Sequence, residues 1–464
     1  MQERMKKKNL ILWLILLFAF IFYSSSLSFF FISDDFFHIS FNRLAEIFKI
    51  SPSYNHYIPV FLSSLFIIKK LFGTNPFVFH LYVVLLHILN IFLVYVFTKE
   101  FLKSSRKALI VSLLFSFFYS HYEAVYWITG TTNSLMTLFY LLSLISFQMF
   151  TKTRKNICLV FTGVLIPLAF LSHEHAITLI PIIICYGIYR KVRVKNYKIL
   201  LLPIFLFCFI SILKIENTHL EVVKIATFSQ FYQSVIRSNI YLLIPIPFIV
   251  DNIPKGIPLL AFLILMIIIF ILIKKETKLL FCLIWLEIHI LLFSSTSLPQ
   301  PRYFYLASIP ALCLIISFLS YFKKNVQFVP YMFLLIGFII FLSNRSREWK
   351  ETSMIMRQTI TSLNTMYSRF SKDKKVYFVN LPDSLNGPPW NAYLFRNGVE
   401  RLIEYASGIL PNNIYYLKTV KNNILLRNDP YINTKELYRI NNSAVMLYKE
   451  GKLYFSERKI KEEK

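Results

Sequence analysis

The chain has 464 residues, 56% of them hydrophobic and 16% charged, with 47 Phe, 28 Tyr and only 10 Gly. Soluble domains average about 25% charged residues, so the composition excludes an ordinary soluble enzyme, and it equally excludes a disordered, collagen-like or disulfide-scaffold chain. The formal net charge of +27 would point to nucleic acid only if the basic residues lay away from the apolar runs, and they do not.

A helix that crosses a bilayer needs about 20 apolar residues, within a range of about 17–25. The first run, 9–31, follows Arg4, Lys6, Lys7 and Lys8. No A-x-A-like site follows Ser24–Ser26, and apolar character resumes through Phe29–Ile32, so this is a signal anchor and not a cleaved leader. Further runs lie at 77–98, 108–120, 133–150, 157–172, 176–189, 199–213, 257–273, 279–295, 303–320 and 328–343. The expected class is an all-α polytopic membrane protein with about eleven transmembrane helices. The piece 239–250, interrupted by Pro245 and Pro247, reads as interfacial or re-entrant.

Lys/Arg asymmetry sets the orientation. With the N-terminus inside, the inner segments carry 21 Lys/Arg against three acids, and the outer loops before the tail carry 9 against eight. An odd number of spans then places residues 344–464 outside. Much of the positive charge is a topology signal at the membrane surface, and no nucleic-acid partner is expected. The five cysteines (158, 185, 208, 282, 313) all fall in apolar runs, so neither a disulfide framework nor a cysteine metal site is expected.

Composition changes near residue 344, which divides the chain into a membrane domain (1–343) and a small extracytoplasmic C-terminal α/β domain (344–464). Residues 345–370 read as an amphipathic helix with Ile355, Ile360, Leu363 and Met366 on one face. Lys375–Leu381 reads as a buried strand ending at Pro382, Tyr393–Ile403 as a helix, and Ala444–Lys449 with Lys452–Ser456 as a hairpin.

The ionisable residues of the spans and short loops gather on one side. Asp34, Asp35 and His38 follow the first span, His121 and Glu123 the third; His173, Glu174 and His175 link the fifth and sixth; Arg302 and Tyr303 open the tenth. All fall at the outer face, which defines a polar site at the membrane boundary. The chemistry fits transfer of a group from a lipid-linked phosphate: a carboxylate takes a proton from an acceptor hydroxyl, and an Arg holds a phosphate with paired donors. Each element also has a plainer reading. Asp34-Asp35 can be a loop and helix-cap pair, and 173–175 a solvated turn or a metal cluster. His80, His87 and Asn90 fit helix–helix hydrogen bonding; Glu287, mid-span, fits pairing with a neighbouring helix as well as function.

Several stretches, in order, carry a likeness: Ser33-Asp34-Asp35-Phe-Phe-His38; Phe72-Gly73-Thr-Asn-Pro76 with His80 and His87-Ile-Leu-Asn90; His121-Tyr-Glu123-Ala-Val-Tyr-Trp127-Ile-Thr-Gly130; Leu171-Ser172-His173-Glu174; and Arg302-Tyr303-Phe-Tyr305-Leu306-Ala-Ser308. The chain resembles the polyprenyl-phosphate-sugar-dependent membrane glycosyltransferases of the glycosyltransferase C superfamily, most of all the protein O-mannosyltransferase branch and its bacterial relatives. It departs from the family pattern at His56-Tyr57-Ile58-Pro59 (family R-P-L), at Gly130-Thr131-Thr132-Asn133 (family G-R-x-D) and at His173 (Lys in the family's L-S-K-E).

The resemblance implies a polyprenyl-phosphate sugar donor, a glycan, protein or lipid acceptor, and inverting transfer in the cell membrane. It implies Asp35, by a narrow preference over Asp34, as general base. It implies Arg302 on the leaving phosphate, helped by His173 or Tyr303, and Glu123 as an orienting group. His38, His121 and Glu174 complete the expected substrate-binding set. No cofactor is assigned; adjacent acids can share a divalent cation, but Arg alone can hold a monophosphate. Two other readings stand beside this one: a polymerase or ligase acting on lipid-linked oligosaccharides, and a non-enzymatic transporter or flippase.

Overall fold

The computed structural model describes residues 2–49, 56–193, 226–246, 257–276, 278–295, 300–365, 375–387 and 390–410. It also describes scattered positions between 198 and 209 and the strand segments 413–420, 423–426, 432–433, 443–449 and 452–456. The helices are α1 Gln2–Tyr23, α2 Asp35–His38, α3 Leu44–Ile47, α4 Pro59–Phe72, α5 Pro76–Leu102, α6 Ser105–Ser116, α7 Tyr122–Tyr126 and α8 Thr131–Thr153. They continue with α9 Asn156–Phe170, α10 Leu179–Tyr189, α11 Phe228–Leu243, α12 Ile257–Lys275, α13 Lys278–Ser294, α14 Phe304–Leu319, α15 Lys324–Thr365 and α16 Val399–Ser407.

Among the described residues, five helices are long and apolar enough to cross a membrane, or six if α6 and the bent segment after it count as one span. About eleven were expected. Runs 157–172, 176–189 and 279–295 do form helices, but α9, α10 and α13 have 15, 11 and 17 residues, at or below the usual spanning length. Run 199–213 lies largely outside the described residues. Besides the short α2, α3 and α7, two helices stand within the stretches read as outer loop, the second ending inside the piece 239–250 read as interfacial or re-entrant. One is α4, with 14 residues; the other is α11, with 16. Both are too short to register as spans. The start of α11 is written locally: Thr227 Oγ1 accepts from Gln230 N–H, and Gln230 Oε1 accepts from Thr227 N–H, a reciprocal cap.

The chain forms two compact units, one of residues 1–27, 43–67 and 78–344, the other of 28–42, 68–77 and 345–464. The helices of the first unit expose apolar side chains outward: Trp13, Leu14, Leu17 and Ile21 on α1, Ile267 and Phe270 on α12, and Phe328, Phe333, Ile336 and Ile340 on α15. An apolar exterior of this extent marks a lipid-facing surface, and the protein is a polytopic membrane protein. Inward, large aromatic side chains carry their polar tips to partners, as burial requires. Tyr23 donates to Ser116 O at 2.9 Å and Tyr119 to Tyr241 O at 2.8 Å. Glu287 accepts from Asn239 Nδ2 of α11 at 3.3 Å, the neighbouring-helix pairing anticipated for it. All five cysteines are free.

The second unit contains a six-stranded sheet, β1 Lys375–Val379, β2 Asn413–Val420, β3 Asn423–Leu426, β4 Ile432–Asn433, β5 Ser443–Lys449 and β6 Lys452–Ser456, in the order β4-β3-β2-β1-β5-β6. The central strand β1 runs parallel to β2 and β5, and the remaining pairs are antiparallel. Val376, Tyr377, Phe378 and Val379 are all buried, the continuous apolar run of a strand covered on both faces. The expected strand and the expected hairpin both form, the latter closed by the Lys449–Lys452 pair.

Two expectations are corrected. The amphipathic helix of 345–370 and the last span are one helix, α15, because no Gly or Pro interrupts 338–365. The helix expected over Tyr393–Ile403 starts only at Val399, because Gly398 takes a left-handed conformation with φ 76°. The last strands also required long-range pairing that periodicity cannot supply.

Candidate functional site

In the first unit the site is built around the Arg302–Ser308 stretch. Pro301–Tyr303 forms a 3-10 turn that leads into α14. Arg302 Nη1 donates to Glu123 Oε2 at 2.9 Å, and the Arg302 backbone N–H lies 3.4 Å from the same oxygen. The Glu123 side chain is fully buried and that of Arg302 is 16% exposed. The guanidinium lies over the rings of Trp127 (5.4 Å) and Tyr303 (5.0 Å), where the π-face favours a cation. Charge, ring and carboxylate fix Arg302 in one orientation.

The segment bearing Glu123 is itself held in shape. It folds as a 3-10 turn (Tyr119–His121), the short α7, and a return into α8 capped by Gly130. A Cβ at Gly130 would lie 2.0 Å from the Glu123 carbonyl oxygen. Only glycine lets α8 begin so close to α7. Ser134 Oγ then donates to Ala124 O at 3.1 Å.

Three further motif residues meet on α14. The hydroxyl of Tyr305 lies 2.7 Å from His87 Nδ1 and 3.3 Å from Asn90 Nδ2. His121 packs against the Tyr305 ring (4.4 Å) and pairs through Nε2 with Ser308 Oγ at 3.1 Å. His121 is fully buried; it supports α14 from within. His87 and Asn90 make the interhelical hydrogen bonds anticipated for them. The Leu171–Glu174 stretch reaches the same place, with the rings of His173 and His175 at 6.3 Å and 4.8 Å from Tyr303. His173 is buried and caps the 3-10 turn Glu174–Thr178 by accepting from His175 N–H, so this link is not a solvated turn. Glu174 Oε1 lies 2.5 Å from His56 Nδ1. Among the described residues, no group of three or more His, Cys, Asp or Glu is placed to hold a metal ion.

The acidic motif belongs to the second unit. Ser33 is left-handed at φ 50°, a conformation that costs a non-glycine residue about 1–3 kcal/mol and concentrates at functional sites. It turns the chain into the single-turn α2. Asp34 and Asp35 are then unlike. Asp35 is fully buried and accepts the Ile32 backbone N–H through Oδ2 at 2.9 Å. Asp34, at the N-terminal boundary of α2, is half-buried and makes no capping bond there. His38 closes α2, buried, with its ring against Phe37. Lys69 Nζ donates to Ile39 O, Phe41 O and Asn42 Oδ1 at 2.8, 3.1 and 2.9 Å and so fastens the far end of the loop.

Sequence reasoning gave no role to Trp127, Gly130 or Tyr305, although it quoted all three within motifs. It treated His56 only as a departure. The signal available was their fixed spacing from Glu123 and Arg302.

The chain is similar to known proteins in profile and in fold. The family profile of dolichyl-phosphate-mannose-protein mannosyltransferases matches residues 58–214. The mouse protein O-mannosyl-transferase TMTC1 is 36% identical over 99 residues, which are 21% of this chain and 10% of that protein; the match thus spans about a tenth of the curated relative. The crystal structure of ArnT from Cupriavidus metallidurans in the apo state superposes with a TM-score of 0.54 at 12% identity, covering 88% of this chain and 92% of that one. The same protein bound to undecaprenyl phosphate gives 0.55 at 12% identity, covering 95% and 96%. At that identity the structural likeness speaks for the fold. The resemblance to the glycosyltransferase C superfamily is borne out: the chain is similar in profile to its mannosyltransferases and in fold to ArnT.

Proposed function

We propose that the protein is an integral membrane glycosyltransferase that moves a sugar from a polyprenyl-phosphate donor to an acceptor hydroxyl at the outer face of the membrane, with inversion. The observation that carries this reading is the convergence of three separate motifs on a fourth, Arg302–Ser308, which leaves one guanidinium rigidly aimed and paired to a buried carboxylate. Undecaprenyl phosphate in the ArnT complex and the mannosyltransferase profile support a lipid-phosphate donor. The Lys/Arg asymmetry supports the outer face for the site and for the C-terminal domain.

In this reading the acceptor oxygen attacks the anomeric carbon, the carbon–phosphate-oxygen bond breaks, and the acceptor proton passes to a carboxylate. Burial favours Asp34 as that base, in place of the narrow sequence preference for Asp35. A base must reach the hydroxyl, and the Asp35 carboxylate is enclosed and engaged by Ile32 N–H. Asp35 shapes the loop. Arg302 stabilises the phosphate that leaves, Glu123 holds Arg302, and Tyr303, His173 and Glu174 line the approach. The donor sugar is a hexose or pentose, and the acceptor a glycan, protein or lipid.

Binding of undecaprenyl phosphate to purified protein in detergent tests the reading. Wild type should bind and Arg302→Ala should lose most of the affinity. Equal binding by both would remove the phosphate grip and the proposal with it.

A further inference from the structure

We propose that the C-terminal domain positions the proposed base: α16, through Gly398 and Tyr405, is the mould that holds the Ser33–His38 loop in its working shape. The inference rests on the transferase reading for its chemistry, but its geometry lies wholly within the second unit.

The loop touches the tail at several independent points. Phe30 N–H donates to Ser353 Oγ of α15 at 2.6 Å, and the Arg357 guanidinium lies over the Phe30 ring at 5.5 Å. Asn397 N–H points at Ser33 Oγ at 3.4 Å. Tyr405, on α16, presents its ring to Phe30, Phe31 and Phe36 at 6.2, 6.0 and 5.4 Å.

The closest approach is at Gly398. With φ at 76°, it adopts a conformation that other residues rarely take. A Cβ there would lie 3.0 Å from Ser33 O and 3.6 Å from both Asp34 Cα and Phe37 N. Two left-handed residues thus meet, Ser33 and Gly398, and the backbone of Asp34 is set by that meeting. A loop four residues into a single-turn helix cannot fix a carboxylate by itself. The tail supplies the missing rigidity, and rigidity is what a general base requires, since a shift of about 1 Å can cost about a hundredfold in rate.

Gly408 provides an internal control. It ends the same helix at φ 71° with nothing within 4 Å of its would-be Cβ. Gly398→Ala and Gly408→Ala therefore impose similar backbone strain, but only the first presses on the acidic loop. Both variants of the full-length protein would be examined by hydrogen–deuterium exchange over residues 28–42 and by donor turnover, with Asp34→Asn alongside. Gly398→Ala should accelerate exchange in 28–42, lower kcat about tenfold or more with KM for the donor little changed, and shift the pH profile of kcat. Gly408→Ala should leave all three as in wild type. Tyr405→Phe should keep activity and Tyr405→Ala should not. Unchanged exchange and kcat in Gly398→Ala, with Asp34→Asn inactive, would overturn the positioning role while leaving the base in place. Full turnover by Asp34→Asn would instead strike at the base assignment itself. If Gly398→Ala does not fold, Tyr405→Ala carries the same two readouts.

Discussion

Arg302 Nη1 donates to Glu123 Oε2 at 2.9 Å, and the carboxylate that receives it is fully buried. The two residues lie 179 positions apart in sequence. Removing one member of a buried pair leaves the other charge uncompensated, at about 3–5 kcal/mol. Glu123→Ala should therefore lower thermal stability in detergent strongly. Arg302→Lys, which keeps the charge but loses the planar fork, should retain most of the stability and lose about a hundredfold or more in kcat. A kcat for Arg302→Lys near that of wild type would show that the fork is not aimed at the reacting group.

Tyr305 is the polar knot of the first unit. Tyr305→Phe keeps the ring and removes the hydroxyl shared by His87 and Asn90. Buried polar groups left without a partner cost about 1–3 kcal/mol. A double-mutant cycle with His87→Phe should return a coupling of about 0.5–3 kcal/mol, read from unfolding midpoints. Strict additivity would argue that the hydrogen bond contributes nothing.

Gly130 and Gly337 make opposite predictions for the same substitution. Alanine at Gly130 meets the Glu123 carbonyl oxygen at 2.0 Å, so α7 or α8 must move and Arg302 loses its anchor. Expression or activity should collapse. Alanine at Gly337, within α15 and with nothing within 4 Å, should stabilise by about 0.5–1 kcal/mol through helix propensity alone. Size-exclusion profiles and melting curves of the two variants decide this.

Glu276 gives a pH dependence with a defined sign. Burial alone would raise its carboxyl, but Lys278 at 3.0 Å, Lys107 at 3.8 Å and the donating Tyr321 hydroxyl at 3.4 Å outweigh it and hold it below the usual value of 4.5. A depressed folded-state pKa contributes stability that is complete above the unfolded value and lost as pH falls through the folded one. The melting temperature of wild type relative to Glu276→Gln should be higher near neutral pH, and the difference should shrink as pH falls below about 4.5.

The apolar runs, their flanking charges and the order of the motifs were legible because each is a local property of the chain. The strand at β1 and the β5–β6 hairpin were legible for the same reason. What joins them was not. Nothing in the spacing of Glu123, Tyr305 or Arg302 says that they meet, since such contacts close loops of more than a hundred residues. The asymmetry between Asp34 and Asp35 was hidden too. Two adjacent acids look alike until Ile32 N–H engages one of them. The start of α16 was misjudged because residues 393–403 contain helix formers, while the decisive fact, the left-handed turn at Gly398, is a backbone conformation that helix propensity does not report. The helices α4 and α11 were not legible because neither carries an apolar run of bilayer-spanning length, although the Thr227–Gln230 cap is written in the sequence.

The most direct test of the central claim is turnover of a polyprenyl-phosphate sugar by purified wild type, Asp34→Asn and Asp35→Asn in the presence of membrane acceptor. Release of free polyprenyl phosphate by wild type, lost in Asp34→Asn while donor binding persists, is the expected result. Undiminished release by Asp34→Asn, or none by wild type with any sugar lipid, would contradict it.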